Sequence, residues 1–377
     1  MDLGFDESQQ MLKSSARAFL EQECPSSMVR ALEEDPRGYT LEFWRKMADL
    51  GWLGLPFPQQ FGGMDLSYFD LVILLEEMGR VLLPGPFFST VVLGGLTLLE
   101  SGSDEQKSDL LPKIAQGSII LSLAITEPSA LYTASGVQLQ ATLRDSSYVL
   151  NGTKLFVPDA QIADMIIVAT RTQESTDKTT GITLFLVNPE TEGITITPLE
   201  TIAGDKQAEM NFTNVHVPAS AVLGNVDHGW DTLSHVISLA AVAKSAEMLG
   251  GADRVLDMTV EYLKQRVQFG RPIGSFQALQ HHCANMATAV EGCRFVTYQA
   301  AWRLSQGLPS TREVAIAKAW VSDAYRKVCA LAHQSHGAIG FTSEYDLQLY
   351  TRRAKAAELA YGDSDHYRKV VAESIGL

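Results

Sequence analysis

Residues 137–144 read VQLQATLR, and the fold class turns on them. Val137, Leu139, Ala141 and Leu143 alternate with Gln138, Gln140, Thr142 and Arg144, the two-residue period of a half-buried strand. An apolar run broken only by Ser122 precedes this stretch at 119–125. After it, Asn151-Gly152 falls between Tyr148-Val149-Leu150 and Leu155-Phe156-Val157, where it predicts a hairpin turn. Further strands are expected at 165–169, 182–187, 194–199 and 211–217, each flanked by turn residues. On both sides the period is helical instead. Upstream, Leu71, Leu74, Leu75 and Met78 form one stripe with Glu76, Glu77 and Arg80 off it, and the breakers PFPQQFGG and LLPGPF cut the zone into several helices. Downstream, from Trp230 onward, turn signals are few (FGRPIGS, QGLPST, HGAIGF), which predicts four or five long helices of the bundle type. The expected class is α+β, mainly α: a helical domain over 1–118, a small β domain over 119–226 and a helical bundle over 227–377.

Composition narrows the function. The 377 residues are 46% hydrophobic and 20% charged, an ordinary globular balance long enough to bury a core without disulfides. Thirty Lys and Arg against 44 Asp and Glu give a net charge of -14, which opposes nucleic-acid or anionic-membrane binding. A polyanionic ligand would therefore need a local cluster of basic residues. Cys24, Cys283, Cys293 and Cys329 form no C-x-x-C pair and read as buried free thiols in a reducing cytoplasm. His281-His282-Cys283 is no metal motif, because adjacent helical residues point to different faces. The start, MDLGFDESQQ, lacks an apolar signal core, and no run is long enough to cross a membrane. A cytoplasmic protein is expected.

The C-terminal half carries a resemblance. RVQFGRPIGSFQALQ, residues 266–280, resembles the R-x-Q-F-G-x-P-I-x-x-F-Q-x-x-Q signature of acyl-CoA dehydrogenases. AHQSHGAIGFTSEYDLQLYTRRA, residues 332–354, resembles that family's Q-x-x-G-G-x-G-Y/F element. LGWLGLPFPQQFGG and ITEP extend the likeness over essentially the whole chain. The resemblance implies the family architecture, with a small β-barrel in the middle and a four-helix bundle at the C-terminus. It implies FAD as cofactor, an acyl-CoA substrate, electron-transfer flavoprotein as electron acceptor, and a homodimer or homotetramer. In such assemblies FAD lies between the β domain of one subunit and the C-terminal helices of its neighbour. By position, Arg266 and Gln268 would meet the pyrophosphate, with Phe269 beside them in the motif. Gln277 and Gln334 would hold the adenosine end, where Gly337 and Ala338 let main chain approach. A guanidinium fork and small residues suit those tasks, although each residue alone also reads as solvated helix surface, ordinary core or simple turn.

In the family reaction a carboxylate takes the α proton and the β hydrogen leaves as hydride to the flavin. This chain departs from the pattern at both usual base positions. One falls on Ala240 and Ala241, and the other, the Y-E-G-T loop, becomes Tyr361-Gly362-Asp363. A tyrosine titrating near 10 is a poor base at neutral pH. Asp363 is the nearest carboxylate, but it also precedes SDHYRKVVAES, where Asp is a favoured N-cap. Glu358 and Asp365 are weaker candidates.

The flavin-facing β segments change too. The family's T-E-P-G-A-G-S-D becomes residues 126–133, TEPSALYT, which retains Thr126 but places Tyr132 on the serine. W-I-T becomes Phe156-Val157-Pro158, with proline in place of the hydroxyl. The half-site lent to a neighbour is thus intact while the chain's own half is altered. Two readings follow: a self-sufficient dehydrogenase using Asp363, or the supporting subunit of a heterotetramer with a second acyl-CoA dehydrogenase chain.

Overall fold

The computed structural model describes residues 4–377. The first helices are α1 (Glu7–Glu23), α2 (Ser26–Glu34), α3 (Leu41–Asp49), α4 (Tyr68–Arg80), α5 (Leu96–Ser101) and α6 (Asp104–Ala115). Eight strands follow: β1 (Leu121–Ala124), β2 (Gln140–Arg144), β3 (Ser147–Pro158), β4 (Met165–Arg171), β5 (Ile182–Val187), β6 (Ile194–Leu199), β7 (Gln207–Pro218) and β8 (Val222–Leu223). Then come α7 (Gly229–Gln265), the short strands β9 (Val267–Gln268) and β10 (Arg271–Pro272), α8 (Gln277–Ser305), α9 (Thr311–His336), α10 (Leu347–Leu359) and α11 (Ser364–Ser374). Helices occupy 56% of the chain, so the mainly-α class with a central sheet holds. Contacts divide the chain into two compact units, one of 31–66 and 84–240, the other of the described residues through Arg30 with 67–83 and 241–377. Helices from the first 118 residues therefore contribute to both.

In the first unit the sheet runs β6-β7-β3-β2-β4-β5-β8, with β1 added in parallel on β4. The four residues of β1 are all buried. The hairpin expected at Asn151-Gly152 does not form, because both flanks belong to the single strand β3. Strand β7 runs antiparallel beside it and pairs from Ser147↔Pro218 to Pro158↔Gln207, so one neighbour satisfies both arms and no reversal is needed. Asn151-Gly152 makes a bulge instead. The register shifts between Leu150 and Gly152, and Asn151 Oδ1 accepts from Asn214 N at 2.8 Å.

In the second unit α4 is buried on nearly every face, including the polar residues expected off its stripe. Glu76 and Glu77 are 0% and 1% exposed. Buried carboxylates need partners. Glu76 receives Lys13 at 2.8 Å, Arg294 at 2.7 Å and the hydroxyl of Tyr298, and Glu77 is held by Arg17 at 2.8 Å. Burial alone pushes Glu76 upward, yet Lys13 and Arg294 hold its carboxyl below the usual value. Close helix contact explains two glycines. A Cβ on Gly79 of α4 would lie 2.0 Å from Glu247 O, and one on Gly250 of α7 would lie 1.8 Å from Glu76 O. The cysteines are free, with Cys24, Cys293 and Cys329 buried and Cys283 half-buried.

Candidate functional site

Helix α7 ends at Gln265, and Arg266 N still donates to Tyr262 O at 2.8 Å. The chain then makes a minimal ribbon in which Gln268 faces Arg271 and Val267 faces Pro272. Its two turn residues, Phe269 and Gly270, have φ of 54° and 79°, the signs of a type I′ turn. Glycine takes that region freely, whereas a phenylalanine there is strained. The Phe269 ring is nonetheless 90% exposed, which overturns its reading as a core residue. It meets Phe276 edge-on at 5.9 Å, and the Arg271 guanidinium lies 4.3 Å from the Phe276 ring centre. Arg266, Gln268 and Gln277, the first residue of α8, are all exposed.

A second exposed group closes α9. Gln334 lies on its last turn, and Gly337 ends it with φ 68° and ψ -146°. Gly337 and Ala338 are exposed, and a Cβ on Gly337 would meet nothing within 4 Å. Tyr262 ties this group to the hairpin. Its ring stacks on His336 at 4.5 Å and its hydroxyl donates to His336 O at 3.4 Å. His336 Nδ1 lies 2.8 Å from Ala332 O and must carry the proton, so Nε2 accepts from the Tyr345 hydroxyl at 3.0 Å. Burial holds the His336 ring below its ordinary value. The residues expected to receive a neighbour's dinucleotide therefore share one unit. A guanidinium, amide side chains and bare main chain, all accessible, suit a pyrophosphate and an adenosine, so these residues fit FAD.

The β-unit residues have a different support. Thr126 O accepts from Leu155 N at 2.8 Å, beside a buried ion pair of Lys154 and Glu127 at 2.6 Å. Phe156 falls in a second register shift of β3, between Lys154 and Val157, with φ 54° and its side chain 53% exposed. Tyr132 and Pro158 are half-buried, and Pro158 O accepts from Ser122 Oγ at 2.5 Å.

Ala240 and Ala241 are fully buried and carry no acid. Asp363 is the N-cap of α11, with Oδ1 accepting from His366 N at 2.8 Å. Its Oδ2 makes no hydrogen bond among the described residues. Glu358 is paired with Lys355 and lies 3.7 Å from Arg326, and the Asp365 side chain is 85% exposed and 2.9 Å from Arg368. Sequence reasoning passed over Lys318. Its buried Nζ donates to Gly362 O at 2.8 Å, Glu358 O at 3.0 Å and Ser322 Oγ at 3.3 Å. The available signal was a lysine on the apolar stripe Val314, Ala315, Val321 and Tyr325. Among the described residues no group of three or more His, Cys, Asp or Glu is placed to hold a metal, and no helix is long and apolar enough to cross a membrane.

Comparison with known proteins identifies the family. Family models for the N-terminal, middle and C-terminal domains of acyl-CoA dehydrogenase match residues 6–118, 122–215 and 227–376. A probable acyl-CoA dehydrogenase of Bacillus subtilis (strain 168), YngJ, is 32% identical over 381 residues and covers 100% of both chains. The FAD complex of PigA superposes with a TM-score of 0.93 at 26% identity, over 100% of both chains. A chain of the ChsE4-ChsE5 complex from Mycobacterium tuberculosis gives 0.90 at 28% identity, over 100% of this chain and 99% of that one. Three consecutive domain matches and a relative 32% identical over the whole chain make this protein a member of the acyl-CoA dehydrogenase family, an oxidoreductase with FAD as its cofactor.

Proposed function

We propose that the chain oxidises the α,β bond of an acyl-CoA thioester to the 2-enoyl-CoA, with Asp363 removing the α proton. The observation that carries this reading is the free Oδ2 of Asp363 on a cap whose other oxygen is fixed by His366 N. The competing carboxylates are ion-paired or solvated, and Ala240 and Ala241 offer none. FAD, when bound, supplies the acceptor for the β hydrogen and its electron pair. Asp363 takes the α proton on Oδ2 while Oδ1 keeps the helix start in place. Arg266, Gln268 and Phe269 on the hairpin, with Gln277, Gln334, Gly337 and Ala338, hold the dinucleotide of a neighbouring subunit in a homodimer or homotetramer. Thr126 and Phe156 face the chain's own flavin. The electron acceptor implied for the reduced cofactor would be electron-transfer flavoprotein.

A second reading has its own support. Tyr132 and Pro158 alter the chain's own flavin half, and one solved relative belongs to a two-component complex. On this reading the chain is the non-catalytic subunit of a heterotetramer and lends only its C-terminal half-site. Purification of the chain alone, followed by a panel of short, long and branched acyl-CoA esters, separates the two. A yellow protein with one FAD per subunit that bleaches on ester addition supports self-sufficiency; FAD appearing only with a partner chain supports the other. Asn caps helices as well as Asp does, so Asp363→Asn isolates proton removal from capping. It is expected to lower the bleaching rate about 10²- to 10⁴-fold, and a rate within about tenfold of wild type would remove Asp363 as the base.

A further inference from the structure

Between α10 and α11 the chain turns through Tyr361 and Gly362, with φ of 57° and 105°. Left-handed backbone at a tyrosine persists only where its surroundings fix it. Three acceptors of the turn have fixed donors. Tyr361 O accepts from the Tyr367 hydroxyl at 2.7 Å, Asp363 Oδ1 from His366 N at 2.8 Å, and Gly362 O from Lys318 Nζ at 2.8 Å. The first two contacts are local, but Lys318 reaches the turn from α9, 44 residues earlier. Its residue is 0% exposed, and its ammonium has three donors for three acceptors: Gly362 O, Glu358 O and Ser322 Oγ.

No carboxylate lies within ion-pair distance of Lys318 among the described residues. Burial and then the charge of Lys244 pull it down to about 7, against the pull of Asp363 and Glu358. Glu358 O is among the last carbonyls of α10, which no further turn of helix pairs, so Lys318 closes that helix end and reaches beyond it to the Gly362 carbonyl with the same ammonium. The Gly362 carbonyl and the Asp363 N–H belong to one rigid peptide plane. Whatever fixes that oxygen fixes the point from which the Asp363 side chain departs.

We propose that Lys318 is a positioning residue for α-proton removal, fixing the 362–363 peptide through the Gly362 carbonyl and so setting the direction of the Asp363 carboxylate. The proposal rests on Asp363 being the base. Without the ammonium, Gly362 O and Glu358 O lose their donor, and glycine lets the peptide rotate.

The test uses the full chain with FAD bound and the acyl-CoA ester that bleaches the wild type fastest. Exchange of the α hydrogen with D2O is measured beside kcat, KM and FAD content, because exchange reports the proton step without the hydride step. Lys318→Met is expected to lower exchange and kcat together by about 10²-fold while KM stays within about threefold and FAD content is unchanged. Lys318→Gln restores uncharged donors and is expected to recover about tenfold of that loss. Exchange within about twofold of wild type in Lys318→Met overturns the proposal. Should the methionine variant fail to fold, Lys318→Gln decides: a deficit of about tenfold with FAD retained supports the role, and wild-type exchange overturns it. Asp363→Asn runs in parallel. If it exchanges normally, the base assignment is wrong and this proposal falls with it. If it is dead while both Lys318 variants exchange normally, only the positioning role is lost.

Discussion

Lys154 Nζ lies 2.6 Å from Glu127 Oε1, with the lysine side chain 0% and the glutamate side chain 7% exposed. The same oxygen accepts from Gln138 N and Leu139 N, each at 2.9 Å, and Lys154 also donates to Ile125 O at 3.0 Å. Burial draws Lys154 down to about 8, against the pull of Glu127. One ion pair thus pins residues 125–127 to β3 and to the approach of β2, with Thr126 at the centre. Removing one partner strands a buried charge, so Lys154→Met is expected to cost about 3–5 kcal/mol. Lys154→Met with Glu127→Gln should recover much of that, since no unpaired charge remains and the Gln amide oxygen still accepts from Gln138 N and Leu139 N. Urea midpoints check it, and an unchanged midpoint in the single variant would contradict the clamp.

The hairpin gives the opposite expectation. Arg266 is exposed and makes no ion pair among the described residues, so Arg266→Gln should leave the stability of the apo chain within about 0.5 kcal/mol. Loss of a charge-assisted phosphate contact worth about 1.5–3 kcal/mol should weaken FAD binding roughly 10- to 100-fold. A fluorescence titration of FAD measures this. Unaltered affinity in the assembled protein would remove Arg266 from the cofactor site.

Acid should loosen the end of α9. His333 and His336 both lie below their ordinary value of 6.5, chiefly through burial. The unfolded chain then takes up protons at a higher pH than the folded one. Stability from this source is complete above 6.5 and falls as pH drops toward the lower folded values. His366, lowered mainly by burial as well, has the same sign. The melting temperature is expected to fall between about pH 7 and about pH 5, and less steeply in a His333→Gln, His336→Gln variant. Identical slopes in the two proteins would show that other groups set the acid limb.

How far the sequence carried depended on the range of the interactions. The change from a 3.6-residue to a two-residue period marked helix, sheet and helix, because burial on one face is a local constraint on each segment. The 266–280 stretch was legible because its arginine, glutamines, glycine and proline recur at fixed offsets. Asn151-Gly152 was misread: whether such a pair reverses the chain or bulges depends on whether the neighbouring strand continues past it, and β7 does. Glu76 read only as a residue off the apolar stripe, and its burial was hidden because its partner Arg294 lies 218 residues away. Lys318, between two alanines, became a buried anchor only because the α10–α11 turn packs over it.

The backbone at Phe156 offers the sharpest check on the chain's own flavin half. With φ 54° in a strand bulge, it holds a conformation that costs a side-chain-bearing residue about 1–3 kcal/mol. Its ring is 53% exposed, so intramolecular packing returns only part of that cost. Phe156→Ala removes the ring and keeps the strain, while Phe156→Gly removes both. Glycine normally weakens a strand relative to alanine by roughly 0.5–1 kcal/mol. Here the order is expected to invert, with the glycine variant about 1 kcal/mol more stable than the alanine variant in the apo chain. Both should bind FAD more weakly than wild type if the strained ring is kept to face the cofactor. An alanine variant at least as stable as glycine would mean the bulge is relaxed, and undiminished FAD affinity in both would detach Phe156 from the flavin.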